Sequence, residues 1–543
     1  MVQSAKDDAG ARVFTRKASG LIRVAGAWDT FIFNIGLVSI GIAIALNQYY
    51  GPSLYGGAAI WLSTLLAAAG MLLVAGTFYL WSVVFPRSGG VYLSLSRSLS
   101  PGLAFVLTLV ETVILLYYAA FASSLIVTVG FSSFFGAVGA VAGSQTLIGW
   151  SAALNTPAGI FWCGSAVLLV AGLLLASGTR RYFMAQKVLF VVAILGTAVI
   201  VVVLAVGSRE TFQANFQALT GIAYDQVIET AKANGWAPAP FDFGQTVAFL
   251  VWPLLPLLGA VQSVAIGGEI KQVGRSQMFG MFGAVIVSGV LIALVAALAD
   301  RSFGYDFQAA VAWNSLNAVE GGSIEASVGA APWFTVLASI LTGNLLLTTV
   351  IMATFVAWIW FWIPAEIAYT TRTMVAWSLD RIAPDTLAHV SPRLHTPVVA
   401  IGLSTVVAIV IMAFIAFAKI AFLTLVEVLL VIWGAVMVSA VLFPYLRREL
   451  FRMSPAAGLR VAGLPAMAVL GALGAAFFLG VIVALWVDPV AAGPLVSAEG
   501  VKLEFWVVLA LLVLGAVWYV GAKSYRRSQG IDIELAFKQI PVE

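Results

Sequence analysis

Two short runs, residues 34 to 41 and 252 to 260, set polar, glycine and proline residues in the middle of otherwise apolar stretches. The first holds Asn34, Gly36, Ser39, Ile40 and Gly41. The second holds Trp252, Pro253, Pro256, Leu257, Gly259 and Ala260, with Gln262 just beyond. A proline inside a helix removes one backbone donor and clashes with the carbonyl four residues back, costing about 3 kcal/mol or more. Two of them in one span argue for a purposeful break. Unwound backbone there exposes N–H groups at one half-helix N-terminus and carbonyl oxygens at a half-helix C-terminus. The N–H groups suit a carboxylate, and the carbonyls suit an ammonium group or a metal cation. A zwitterion such as an amino acid engages both. The competing reading of Asn34 to Gly41 is a close helix–helix contact, because small residues let backbones approach.

Glu111 is a third signal, ten residues into the span that begins at Pro101. At 1.5 Å per residue that is about 15 Å deep. A charge at the bilayer centre costs at least ~2.5–3.5 kcal/mol, so this carboxyl has to face the interior and be paired or protonated. Such a group suits a proton carrier; an interhelical hydrogen bond is the structural alternative. Glu427 raises the same two readings. Asn344, Thr348 and Thr349 offer oxygens to a coupling cation, or bonds to their own helix. Asp29, at the start of its span, favours the positive end of a helix dipole.

The elements that must position these residues are apolar stretches. Of the 543 residues, 62% are hydrophobic and 10% charged. Soluble domains carry about 25% charged residues, so that class is excluded. Runs of about 20 apolar residues mark transmembrane helices. Twelve occur, at 24–47, 57–84, 101–130, 158–177, 188–207, 243–267, 277–299, 332–363, 397–418, 420–444, 464–487 and 504–522. The first 23 residues lack an apolar core, so no cleavable signal peptide is expected. With the N-terminus inside, every Lys and Arg except Arg209, Lys232, Arg301, Lys419 and Lys502 falls on the inner side. The positive-inside bias therefore predicts two cytoplasmic termini. It also accounts for the net charge of +4 without a nucleic-acid partner. The single cysteine, Cys163, permits no intramolecular disulfide and no cysteine metal site, and reads as a small buried hydrophobe.

Helices one to five and six to ten can be overlaid as two inverted units, with the interrupted helices first in each. The expected organisation is a cytoplasmic segment 1–23, a first repeat 24–207, an extracellular loop 208–242, a second repeat 243–444, helices eleven and twelve within 464–522, and a tail 523–543. Residues 131–157, 208–242 and 300–331 read as outer connectors carrying at most short helices. Both histidines, His389 and His395, sit in one loop, so no paired-histidine metal pattern argues for an enzyme.

The loop FPRSGGVYLSLSRSLSPGLAF, from Phe85 to Phe105, resembles the Pro-x-Ser-Gly-Gly-x-Tyr loop of the amino acid–polyamine–organocation permeases. The segment YTTRTMVAWSLDRIAPDTLAHVSPRLHTPVVA is similar to the same superfamily, with Arg372, Asp380–Arg381, Pro384 and His395–Thr396–Pro397 in matching places. GGEIKQVGRS resembles the superfamily's acidic-x-Lys-Asn-Pro-x-Arg end of helix six. The resemblance spans roughly residues 22 to 445. It implies an all-α integral membrane fold of the LeuT type: a 5+5 inverted repeat, broken helices one and six, and two further helices. The implied break in helix one falls on Ser39-Ile40-Gly41 or one residue away, and that in helix six on Gly259-Ala260. The family's aromatic at the second break is missing here, and Trp252 with Tyr117 or Tyr118 is the expected replacement lid. The lysine that some relatives hold in mid helix five is absent, since Lys187 stands at the inner end.

The sequence thus predicts a secondary active transporter of amino acids or related amines in the cytoplasmic membrane, working by alternating access. Asn34, Gly36, Ser39, Ile40, Gly41, Leu257, Gly259, Ala260 and Gln262 are expected to contact substrate. Coupling to H+ or Na+ is expected, with no other cofactor. The alternatives are an exchanger without ion coupling and a non-transporting amino-acid sensor. Loop 85–100 is expected to be amphipathic and to lie under the inner gate, where Arg87 and Arg97 would pair with Asp29 or Glu269.

Overall fold

Apolar segments in lipid can satisfy their backbone only as helices or closed barrels, and this chain uses helices. A computed structural model describes residues 20–418, 425–488, 490, 495–497 and 500–538. Within them, 12 helices are long and apolar enough to cross a membrane. They are α1 (Ala27–Leu54), α2 (Ile60–Val84), α3 (Pro101–Ala142), α4 (Pro157–Ala176), α5 (Thr179–Val206), α6 (Phe243–Ala265), α7 (Val273–Phe303), α8 (Leu345–Leu379), α9 (Val398–Ala418), α10 (Leu425–Leu446), α11 (Ala466–Val487) and α12 (Leu503–Ser528). The architecture is the all-α, LeuT-type membrane fold, with α11 and α12 added after the ten-helix unit. Residues 1–19, which carry part of the expected inner charge, and Lys419, expected on the outer side, lie outside the described residues.

Enclosure locates the centre. The apolar stretch of α1 is 94% buried, against 6% for α12. Around α1 pack α6, α7 and α8, while α3 lies along α8 and α2 along α7. Functional groups on α1, α3, α6 and α8 therefore meet in the interior.

Three expectations need correction. The eighth span is not 332–363: a separate helix, Phe334–Thr342, ends at Gly343, and α8 then runs to Leu379. It extends because Glu366 and Arg372, which look like loop residues, are both buried and hydrogen-bonded. The third span does not end at 130. It passes through a π-helical turn, Ile126–Phe131, and continues to Ala142. Loop 85–100 is not an amphipathic surface segment either. Its helix Gly90–Ser98 is buried at every residue, wedged against α3, α8 and α10. The outer connectors are largely helical, with Gln145–Leu154, Arg209–Thr220, Tyr224–Ala233 and Tyr305–Leu316.

Candidate functional site

Helix α1 breaks at Ser39. The residue stands at φ 50° and ψ 66°, in the left-handed region, and separates Ala27–Val38 from Ile40–Leu54. A non-glycine residue is held there only by its surroundings. Ser39 N–H donates back to Ile35 and Gly36 carbonyls, and its hydroxyl donates to the Trp358 carbonyl of α8 at 2.9 Å. The next half-helix begins at Ile40, and its first turn has no backbone ahead to accept its amides. Among the described residues, the N–H groups of Ile40, Gly41 and Ile42 have no hydrogen-bond acceptor outside their own helix.

Helix α6 changes character at the matching level. The α-helical turn Val251–Leu257, with its prolines, gives way to a 3₁₀ segment, Leu258–Ala265. The break is thus a tightening to i→i+3 bonds rather than an open gap, a milder rupture than the prolines suggest. The two irregular segments meet backbone to backbone. A Cβ on Gly259 would lie 2.5 Å from the Leu37 carbonyl carbon, so only glycine fits. Every residue from Asp29 to Ala45 and from Leu257 to Ile270 is buried, which is the condition irregular backbone needs at membrane depth.

Asn34 stitches the two segments together. Its Nδ2 donates to Ser263 Oγ and its Oδ1 accepts the Ser263 N–H, both at 2.9 Å. Gln277 of α7 completes the cluster, donating to the Ser263 carbonyl at 3.1 Å and accepting its hydroxyl. Gly36 and Gly41 face α8: a Cβ would lie 3.0 Å from Phe361 Cβ and 2.9 Å from Trp358 Cβ respectively. At both positions the absence of a side chain lets α1 approach α8 closely. Leu257, Ala260 and Gln262 are buried on α6.

The aromatic residues separate. Trp252 stacks on Tyr50 at 4.7 Å and donates to the Tyr55 hydroxyl, which in turn donates to Asp488 at 2.6 Å. Tyr49 packs on Trp333 at 4.4 Å, so an aromatic layer lies at the end of the bundle where the second half of α1, Ile40–Leu54, finishes. Tyr118 lies deeper, beside Trp362 at 6.2 Å. Tyr117 lines an apolar groove with Ile411, Phe414 and Leu511 instead, away from the break.

The opposite, basic end is sealed by ion pairs. Asp29 takes the Gly26 N–H at 2.9 Å and pairs with Lys187 at 2.8 Å, beside a pocket of about 430 Å³ that Arg180 and Lys271 also line. Glu269 forms a bidentate pair with Arg372 at 2.7 and 3.0 Å, and Asp380 one with Arg97 at 2.5 and 3.0 Å. Tyr92 adds its hydroxyl to Asp380 at 2.8 Å. The expected pairing of Arg97 with Asp29 or Glu269 is thus corrected: each of those carboxylates is taken by another cation.

Glu111 is fully buried on α3 and accepts from Tyr369 at 2.9 Å and Trp433 at 2.8 Å, both at Oε1. Sequence reasoning missed its neighbour Glu366, 1% exposed on α8, which accepts from Trp362 at 2.9 Å and Gln262 at 3.4 Å. The signal was a lone glutamate flanked by apolar residues after Pro364. Glu427 is less central: it stands in the first turn of α10 and accepts from Trp486 at 2.6 Å. Asn344 caps α8 by accepting from Leu347 N–H at 3.1 Å, and Thr349 bonds back to Leu345 at 2.8 Å. Thr348 is buried without a hydroxyl partner, roughly 15 Å along the helix from Trp358 at 1.5 Å per residue.

Two facing breaks, enclosed in a twelve-helix bundle and closed at both ends, define a membrane carrier. The family described as amino acid permease matches residues 26–516, and the chain belongs to it, within the amino acid–polyamine–organocation superfamily. No curated protein was found to match the chain. It is accordingly a multi-pass membrane transporter, and its family implies a small-molecule substrate of the amino-acid class.

Proposed function

We propose that this permease is a secondary active transporter of amino acids or related amines, driven by an ion gradient through alternating access. The carrying observation is the break at Ser39, where, among the described residues, the amides of Ile40, Gly41 and Ile42 have no acceptor outside their own helix. A substrate carboxylate supplies the acceptor those amides lack, and carbonyls of the broken segments take its ammonium. Asn34, Ser39, Leu257, Gly259, Ala260 and Gln262 frame the site, with Trp252 and Tyr118 as lids. The basic end, with Arg180, Lys187 and Lys271, faces the cytoplasm, which puts both termini there. The inverted repeats are residues 24–207 and 243–444. Uptake of a labelled amino-acid panel into proteoliposomes, with and without imposed proton and sodium gradients, tests this reading. Gradient-dependent accumulation of at least one amino acid supports it; equilibration alone would favour an exchanger without ion coupling.

A further inference from the structure

Glu366 has a pattern of contacts that one proton completes. Trp362 and Gln262 both donate to its Oε1, while Oε2 has no partner among the described residues. Across the same contact, Gln262 Oε1 also has no partner, in a residue only 4% exposed. Both bare atoms are acceptors when the carboxyl is ionised, so neither can satisfy the other, and a buried unsatisfied acceptor costs about 1–3 kcal/mol. A proton on Glu366 Oε2 changes that. The new O–H donates to Gln262 Oε1 while Gln262 Nε2–H continues to donate to Glu366 Oε1, closing a two-bond acid–amide ring.

We propose that Glu366 is the proton-binding site that couples transport, and that Gln262 passes its protonation state to the irregular segment of α6. This rests on the transport reading above. With the proton bound, two hydrogen bonds hold α8 to Leu258–Ala265. With it released, two acceptors oppose one another and only the Gln262 Nε2–H bond to Oε1 remains across the contact, so α8 holds the 3₁₀ segment less firmly. The groups facing Glu366 support this assignment. From α3 come Glu111, near enough for the two carboxyls to feel each other's charge, and Tyr118, whose hydroxyl is unpartnered. From its own helix comes Tyr369, already donating to Glu111. The nearest cation along α8, Arg372, is held by Glu269. From α10, Trp433 brings a neutral donor to Glu111. Among the described residues, no cation on these elements is free to neutralise Glu366, so a proton does.

The test is labelled amino-acid uptake into proteoliposomes, with and without an inward gradient of about one pH unit, which supports roughly tenfold accumulation per coupled proton. In E366Q the ratio of uptake with the gradient to uptake without it is expected to fall from about tenfold to about one, whatever the absolute rate. An unchanged ratio overturns the proposal. If E366Q does not fold, Glu366→Asp keeps the acid but shortens its reach to Gln262, and its ratio should also fall; an unchanged ratio again contradicts the proposal. Should the wild-type chain move no amino acid, the transport reading fails separately. The pH-difference infrared spectrum of the folded protein then decides: a carboxylic-acid band missing from E366Q supports the proton site, and a band that persists there overturns it.

Discussion

Ser39 and Trp358 are joined by a hydrogen bond of 2.9 Å from a hydroxyl at the break in α1 to a main-chain carbonyl in α8. That carbonyl lies on a 35-residue helix that also carries Glu366 and Arg372. The break, the buried carboxyl and the ion pair at the basic end are thus mounted on one rod. A movement of α8 relative to α1 acts on all three together.

Substitution at Ser39 separates backbone shape from hydroxyl chemistry. Ser39→Gly accepts φ 50° without strain and is expected to keep transport, with the lost hydroxyl bond offset by relief of about 1–2 kcal/mol. Ser39→Val puts a β-branched residue in the left-handed region and is expected to lose uptake. Uptake assays on folded, monodisperse variants check this; active Ser39→Val contradicts it.

Gly259→Ala should destabilise the protein and reduce uptake, because the added Cβ meets the Leu37 backbone at 2.5 Å and backbone cannot step aside. Overpacking of this kind costs about 1–3 kcal/mol. Gly480→Ala on α11 is the control, since nothing lies within 4 Å of its Cβ position. Thermal unfolding in detergent should order the three proteins with Gly259→Ala lowest.

The basic-end pairs should differ in strength. Arg372 and Glu269 are 3% and 1% exposed, so Arg372→Gln strands a buried charge at about 3–5 kcal/mol. Lys187 is 51% exposed, and losing its pair with Asp29 should cost less than about 1 kcal/mol after screening. A double variant, Glu269→Gln with Arg372→Gln, should recover part of the loss. Unfolding midpoints of the single and double variants measure the coupling; additive losses would contradict it.

Trp252→Ala should open the aromatic layer. Its ring stacks on Tyr50 and its N–H holds Tyr55. In a Cys163→Ser background, a cysteine placed at Ile40 should react faster with a membrane-impermeant thiol reagent when Trp252 is removed. Equal rates would show that the ring does not guard the site.

Much of the site is legible in the sequence because membrane burial makes rare residue types conspicuous. Asn34, Ser39 and the prolines of α6 stand out in apolar surroundings; Ser39 is the break itself, while Asn34 and the prolines lie in the helical turns that lead into the irregular segments. Glu111 stands out for the same reason. Glu366 does not, because Pro364 and Arg372 close by make its segment look like a loop, and only the packing of α3 and α6 against α8 shows otherwise. Partner choice is hidden as well. Arg97 and Asp380 are 283 positions apart, and no local pattern tells an arginine which carboxylate the fold will bring. The shallow depth of the break in α6 is not legible, because the chain after Pro256 tightens into 3₁₀ bonding instead of opening a gap.

The most direct measurement is counterflow of labelled amino acids in proteoliposomes holding the wild-type chain or its Gly259→Val variant. Saturable counterflow of at least one amino acid, lost when valine forces α6 from α1, is the expected result. Folded wild-type protein that exchanges none of the panel, or a valine variant that exchanges as well as the wild type, would contradict a substrate site at the facing breaks.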